Sequence, residues 1–228
     1  MGQFRLGYSY FVGRGVNQDL PEAIKWFRLA ADAGQPGAQA LLGEAYKKGL
    51  GVEKSYKEAF NLFQKVAIQG DSAGQCALAA CYKNGMGTET NIAEALIWYQ
   101  RSAENGDDKA QVELGKMYRD GVGVEQNANQ AFYWFQKAAL QGNPYAKMNL
   151  GFYYALIEDT NKDLVEACKW ITLANYKDST IADVALNTLK QKGITFSPEQ
   201  IAKAKQRAEE FVKTNQFALP STNQVKGL

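Results

Sequence analysis

Groups able to do chemistry are scarce in these 228 residues, and what is missing is as informative as what is present. There is no histidine, which excludes Ser-His-Asp and Cys-His nucleophilic sites, histidine general bases and any zinc site with an imidazole ligand. Three cysteines, Cys76, Cys81 and Cys168, cannot form a fully paired disulfide framework. Cys76 and Cys81 are spaced so that, on one helix, their side chains point to different faces. All three are read as small buried or half-buried residues without a redox or metal role. A Ser-x-x-Lys acylation motif is also missing: Ser55-Tyr56-Lys57 has the wrong spacing. No catalytic residue, cofactor or metal is expected. What remains is the chemistry of charged and aromatic side chains arranged for binding.

Composition narrows the partners. The chain is 46% apolar and 22% charged with a net charge of +2, which predicts a soluble globular protein with a continuous core. So small a charge does not supply the clustered Lys and Arg of a broad phosphate-binding surface, and nucleic acid is not an expected partner. No apolar run approaches the ~18 residues of a membrane span, and the N-terminus lacks the charged-then-apolar pattern of a signal segment. Leu6 stands where a myristoylation signal needs Ser or Thr.

The elements that must position any binding groups follow from a 36-residue period. Leu6-Gly7-x-x-Tyr10 recurs as Leu42-Gly43-x-x-Tyr46, Leu78-Ala79-x-x-Tyr82, Leu114-Gly115-x-x-Tyr118 and Leu150-Gly151-x-x-Tyr154. A second string keeps the same phase: Ala23, Ala59, Ala95, Ala131 and Ala167, each followed three residues later by Trp26, Leu62, Trp98, Trp134 and Trp170. Glycines fall in four further phases, inside the first helical pattern (Gly7), at its end (Gly13), in the following turn (Gly15) and after the second helix (Gly34). Asp19-x-x-Glu22, Ser55-x-x-Glu58, Asn91-x-x-Glu94, Asn127-x-x-Gln130 and Asp163-x-x-Glu166 are capping-box patterns that start the second helix of each unit. One repeat is therefore helix A, a glycine turn, a capped helix B and a glycine stop. Its apolar stripe is too small to be stable alone, so stacked neighbours must complete the core.

This pattern resembles the Sel1-like repeat family, a relative of the tetratricopeptide repeats. The fullest match runs from Ala110 to Gly142, with Leu114, Gly115, Tyr118, Gly121, Gly123, Val124, Ala131, Trp134, Lys137, Ala138 and Ala139 at the family's positions. The resemblance implies an all-α, right-handed α-solenoid whose A helices line a concave surface used to bind other proteins, and a bacterial origin. Five repeats are expected at about 2–37, 38–73, 74–109, 110–145 and 146–181. A degenerate repeat and capping helices should follow over 182–213, opened by Ser197-Pro198-Glu199-Gln200, and then a polar tail over 214–228. In the fifth repeat Ala155-Leu156-Ile157-Glu158-Asp159 replaces the double-glycine turn, so its A-to-B connection should differ. The compartment stays open between the bacterial cytoplasm and, after removal of a leader, the periplasm or exterior.

The concave positions of the related tetratricopeptide arrangement, transferred by spacing, are Phe4, Tyr8 and Phe11; Ala40, Glu44 and Lys47; Cys76, Ala80 and Lys83; Val112, Lys116 and Arg119; and Met148, Phe152 and Ala155. Lys47, Lys83 and Arg119 share one phase, so on neighbouring A helices they would form a ladder with rungs roughly 8–10 Å apart. Such a ladder could hold a carboxylate-rich or C-terminal peptide. Cations near a helix C-terminus are equally accounted for as a solvated face. The aromatic group Phe4, Tyr8 and Phe11 reads as an apolar end of the groove, a surface left by absent upstream repeats, or a self-association patch. The expected function is a non-catalytic scaffold for a protein or peptide, an acidic one being the partner such cations would suit. The alternative is a cell-envelope component binding peptidoglycan or β-lactam-like ligands with weak hydrolase activity, as implied by some cysteine-rich members of the family, whose disulfide in each repeat has no counterpart here.

Overall fold

The computed structural model describes residues 2–156, 163–174 and 179–216. Among the described residues every regular element is a helix: α1 Gly2–Val12, α2 Leu20–Asp32, α3 Pro36–Lys48, α4 Tyr56–Ile68, α5 Ser72–Asn84, α6 Ile92–Glu104, α7 Asp108–Asp120, α8 Ala128–Leu140, α9 Pro144–Leu156, α10 Leu164–Ala174, α11 Ser179–Gln191 and α12 Pro198–Gln216. Odd-numbered helices up to α9 are the expected A helices and even-numbered ones up to α10 the B helices. They gather in two compact units, Met1–Gln126 holding α1 to α7 and Asn127–Leu228 holding α8 to α12. The altered turn expected at Ile157 to Asp159 lies outside the described residues, as does the tail from Phe217 onward; Thr214 to Gln216 continue α12.

Each B helix starts as its sequence dictates, with one change. The side chains of Asp19, Ser55, Asn91, Asn127 and Asp163 accept from the backbone N–H three residues on, at 2.9, 3.3, 3.1, 3.0 and 2.8 Å. The return half of the box is replaced in unit one. There the cap residue's own N–H donates to a tyrosine carbonyl in the preceding A helix: Asp19 to Tyr10 at 3.0 Å, Ser55 to Tyr46 at 2.9 Å and Asn91 to Tyr82 at 2.8 Å. Those carbonyls are in the last turn of helix A and lack a partner within it, so one bond satisfies two helix ends and fixes the hairpin. Both halves of a box are made at Ser197, whose N–H donates to Gln200 Oε1 at 2.8 Å while its Oγ accepts from the Gln200 N–H at 3.2 Å.

Two glycines show why the repeat needs them. At Gly43, inside α3, an added Cβ would lie 2.7 Å from Cε1 of buried Phe63 on α4, so the missing side chain lets the two helices of the hairpin touch. At Gly87, in the turn after α5, φ is +77° and a Cβ would lie 2.1 Å from the Tyr56 carbonyl oxygen, so both the left-handed backbone and the approach to α4 demand glycine.

The core is a run of small and aromatic side chains between helices. In unit one Ala23, Phe27, Ala30, Ala38, Leu42 and Leu62 form one cluster, and Ala59, Phe63, Leu78 and Cys81 the next. In unit two Ala167, Ile171, Ala182, Ala185 and Leu189 join α10 to α11. The closing helix α12 lies on α10, stacking Phe211 edge-on against Trp170 at 5.2 Å and placing Arg207 3.5 Å from Asp163 and 3.4 Å from Glu166.

Candidate functional site

The expected A-helix cations of unit one occur on α3, α5 and α7, but not as a bare row. Lys47 and Lys48 both reach Glu44 one turn back, Lys48 at 3.2 Å. Lys83 on α5 crosses to Glu113 on α7, Nζ to Oε2 2.6 Å, and Lys116 takes the other oxygen of the same carboxylate at 2.6 Å. Arg119 grips Asp120 with two nitrogens, at 2.8 and 2.9 Å. Glu113 therefore gathers two of the predicted cations. It was absent from the spacing transfer because it sits one residue off that phase; its three-residue offset from Lys116 was the available signal.

The electrostatics follow from this geometry. Burial pushes the Glu113 carboxyl up, yet the hydrogen bonds and charges of Lys116 and Lys83 outweigh it and hold the group below its ordinary value. Glu44 behaves likewise, raised by burial and lowered further by Lys47 and Lys48. Asp120 is lowered chiefly by its hydrogen bond from Arg119. Five cations, Lys47, Lys48, Lys83, Lys116 and Arg119, thus stand against three carboxylates, Glu44, Glu113 and Asp120. The face is a charge mosaic with a positive excess, its carboxylates ionised at neutral pH.

The other predicted residues separate. Phe4 and Phe11 lean on buried Phe27, ring centroids 6.0 and 5.8 Å away, and are half-buried against the first core cluster. Tyr8, 45% exposed, is the one of the three aromatics turned to solvent. Phe152 belongs to unit two, half-buried against the cluster around Ile171. The cysteines are free thiols. Burial pushes Cys81 up to about 11 and raises Cys76 and Cys168 as well, so none of them presents a thiolate nucleophile at neutral pH.

One periodic device is not apparent from spacing alone. Gln39, Gln75 and Gln111 share the 36-residue phase and are buried, 5, 5 and 3% exposed. Each Nε2 donates to the last turn of the preceding B helix, to the carbonyls of Ala31, Ala67 and Ala103 at 3.1, 3.4 and 3.1 Å. Their oxygens accept from the end of the following B helix, Gln39 from Gln69 at 2.8 Å and Gln75 from Asn105 at 3.0 Å. A buried amide thus links two successive B helices through the A helix between them.

The family model described as Sel1 repeat matches residues 1–35, 36–71, 72–107, 108–143 and 144–179. The chain belongs to the Sel1 repeat family. Its fold class, an all-α repeat solenoid, is that of the family. Among solved structures, a Sel1 repeat protein of Oxalobacter formigenes is 33% identical with a TM-score of 0.77, covering 95% of this chain and 87% of that one. A protective antigen of uropathogenic Escherichia coli with the same fold is 32% identical with a TM-score of 0.73 over 96% of this chain; this Sel1 repeat chain spans only 49% of that protein's length. An immunity protein of Pseudomonas aeruginosa, 20% identical with a TM-score of 0.55, covers 100% of this chain and 87% of that one and shares the fold. A comparison with curated protein sequences finds no match. Sel1 repeat proteins generally act as protein-interaction scaffolds. Among the described residues no helix is long and apolar enough to cross a membrane.

Proposed function

We propose that this Sel1 repeat protein is a non-catalytic scaffold that binds a protein or peptide along the A-helix face of unit one, through Glu44, Lys47, Lys83, Lys116 and Arg119. The Lys83–Glu113–Lys116 bridge carries the reading. It pre-positions two ammonium groups on adjacent A helices around one carboxylate, and an incoming carboxylate can share or replace Glu113 without new ordering of the lysines. The partner is an acidic or mixed-charge peptide segment. Tyr8, on α1 of the same unit, adds exposed aromatic area to the proposed surface. Self-association through Phe4, Tyr8 and Phe11 is the weaker use of that end, because two of the three rings already pack on Phe27.

The test is capture of partners by the wild-type chain and by the combined Lys47→Glu, Lys83→Glu, Arg119→Glu variant, with circular dichroism to confirm that both are folded. Loss of captured proteins in the variant supports the face; an unchanged set removes it. The envelope-ligand alternative has no structural observation in its favour, and a chromogenic β-lactam turned over above background would revive it.

A further inference from the structure

Four of the five repeats place an indole at one phase, Trp26, Trp98, Trp134 and Trp170, and the second repeat has Leu62 instead. Beside Leu62, within unit one, opens a groove of about 450 Å³, within the size range of small ligand sites. Buried Leu42 and Leu62 make its floor and half-buried Tyr46 a wall, while exposed Arg28, Asp32 and Lys65 stand at its rim. Arg28 is held there: its Nη2 donates to the Tyr46 hydroxyl at 3.0 Å, and its guanidinium lies 5.9 Å from the tyrosine ring centroid.

The next repeat shows what such a frame accepts. Leu78 and Tyr82 are the counterparts of Leu42 and Tyr46, and Trp98 packs against the cluster they belong to. Arg101, the counterpart of Lys65, lies 4.8 Å over the Trp98 ring. Around Leu62 the leucine floor, the tyrosine wall and the cation are all kept while the indole is not. We propose that this groove binds a tryptophan side chain presented by a partner protein, its ring on Leu42 and Leu62, its face toward Lys65 and Arg28, and its N–H within reach of the rim carboxylates Asp32 and Glu58. The groove is formed by α2, α3 and α4 and uses none of the residues of the charged A-helix face. Its failure would leave the reading of that face standing.

The experiment is a nuclear magnetic resonance titration of the full chain, labelled in backbone amides and methyl groups, with N-acetyl-tryptophanamide and, in parallel, N-acetyl-leucinamide. Saturable shifts centred on Leu42, Tyr46, Leu62 and Lys65 are expected with the tryptophan probe, without their equal for the leucine probe. They should vanish in Leu62→Trp, whose own indole occupies the groove. Absence of saturable shifts, shifts centred elsewhere, equal response to both probes, or an unchanged response in folded Leu62→Trp would overturn the proposal. Should Leu62→Trp lose its fold, the exposed-rim variant Arg28→Ala decides: weaker binding upholds the site and unchanged binding rejects it.

Discussion

Lys83 and Glu113, thirty residues apart in sequence, meet at 2.6 Å and join the A helices of two successive repeats. The pair is part-exposed, with 31% of the lysine and 24% of the glutamate side chain accessible, so its importance lies in organising a surface more than in stability.

Glu113→Gln should cost about 1 kcal/mol or less in urea unfolding at pH 7, the scale of a part-exposed ion-pair network. It should also tighten binding of an acidic peptide, because Lys83 and Lys116 lose their internal carboxylate. Weakened peptide binding in this variant would contradict the proposed role of the two lysines.

The pH dependence has a definite sign. Glu113, Glu44 and Asp120 have folded-state values below their ordinary ones, so the folded state binds fewer protons than the unfolded chain in the acid range. Their contribution is present above the ordinary carboxylate range and is lost as pH falls through the lowered folded values. Unfolding free energy should therefore drop from pH 6 toward pH 3, and the drop should shrink in Glu113→Gln.

Gln75→Ala removes a buried amide that serves Ala67 and Asn105. The Ala67 carbonyl keeps the Gly70 N–H at 3.1 Å, so a loss of about 0.5–1.5 kcal/mol, that of one net hydrogen bond, is expected. A double-mutant cycle with Asn105→Ala should show coupling of about 0.5 kcal/mol or more. Additive losses would mean that the two side chains act independently.

Trp134 is 7% exposed, and among the described residues its indole N–H has no hydrogen-bond partner. Trp134→Ala should cost about 3–5 kcal/mol through the lost ring. Trp134→Phe keeps most of the apolar volume, breaks no hydrogen bond and should cost under about 1.5 kcal/mol. Equilibrium denaturation of both variants separates shape from polar contact at this position.

Gly87→Ala and Gly70→Ala test two different demands on glycine. Both residues have positive φ, +77° and +88°, but only Gly87 has a backbone oxygen where the Cβ would go. Gly70→Ala should cost about 1–2 kcal/mol from the left-handed conformation alone, and Gly87→Ala distinctly more. Equal losses in thermal unfolding would show that the contact with Tyr56 relaxes freely.

What could be read along the chain was everything set by neighbours within a turn or two of helix: the helix starts at Asp19, Ser55 and Asn91, the stops at glycine, and the phase that buries Leu42, Leu78 and Leu114. These depend on 3.6-residue geometry and on backbone groups three or four positions away, and a 36-residue period repeats them often enough to be unmistakable. The glutamine string at 39, 75 and 111 was equally periodic, but nothing in spacing alone tells a buried amide linking two helices from a polar surface residue.

The A-helix face was legible only in part. Spacing placed Lys47, Lys83 and Arg119 on one phase, while the carboxylates that answer them came from another phase or from the next repeat. The amino-acid sequence by itself determined the family, the all-α repeats and which residues start and stop each helix, because those are short-range properties of the backbone. Only the tertiary structure decided that Glu113 bridges two lysines, that tyrosine carbonyls complete the helix caps, and that Leu62 leaves a groove where its counterparts hold an indole. Each of these depends on the distance between neighbouring helices, and that distance is set by how side chains of different size pack.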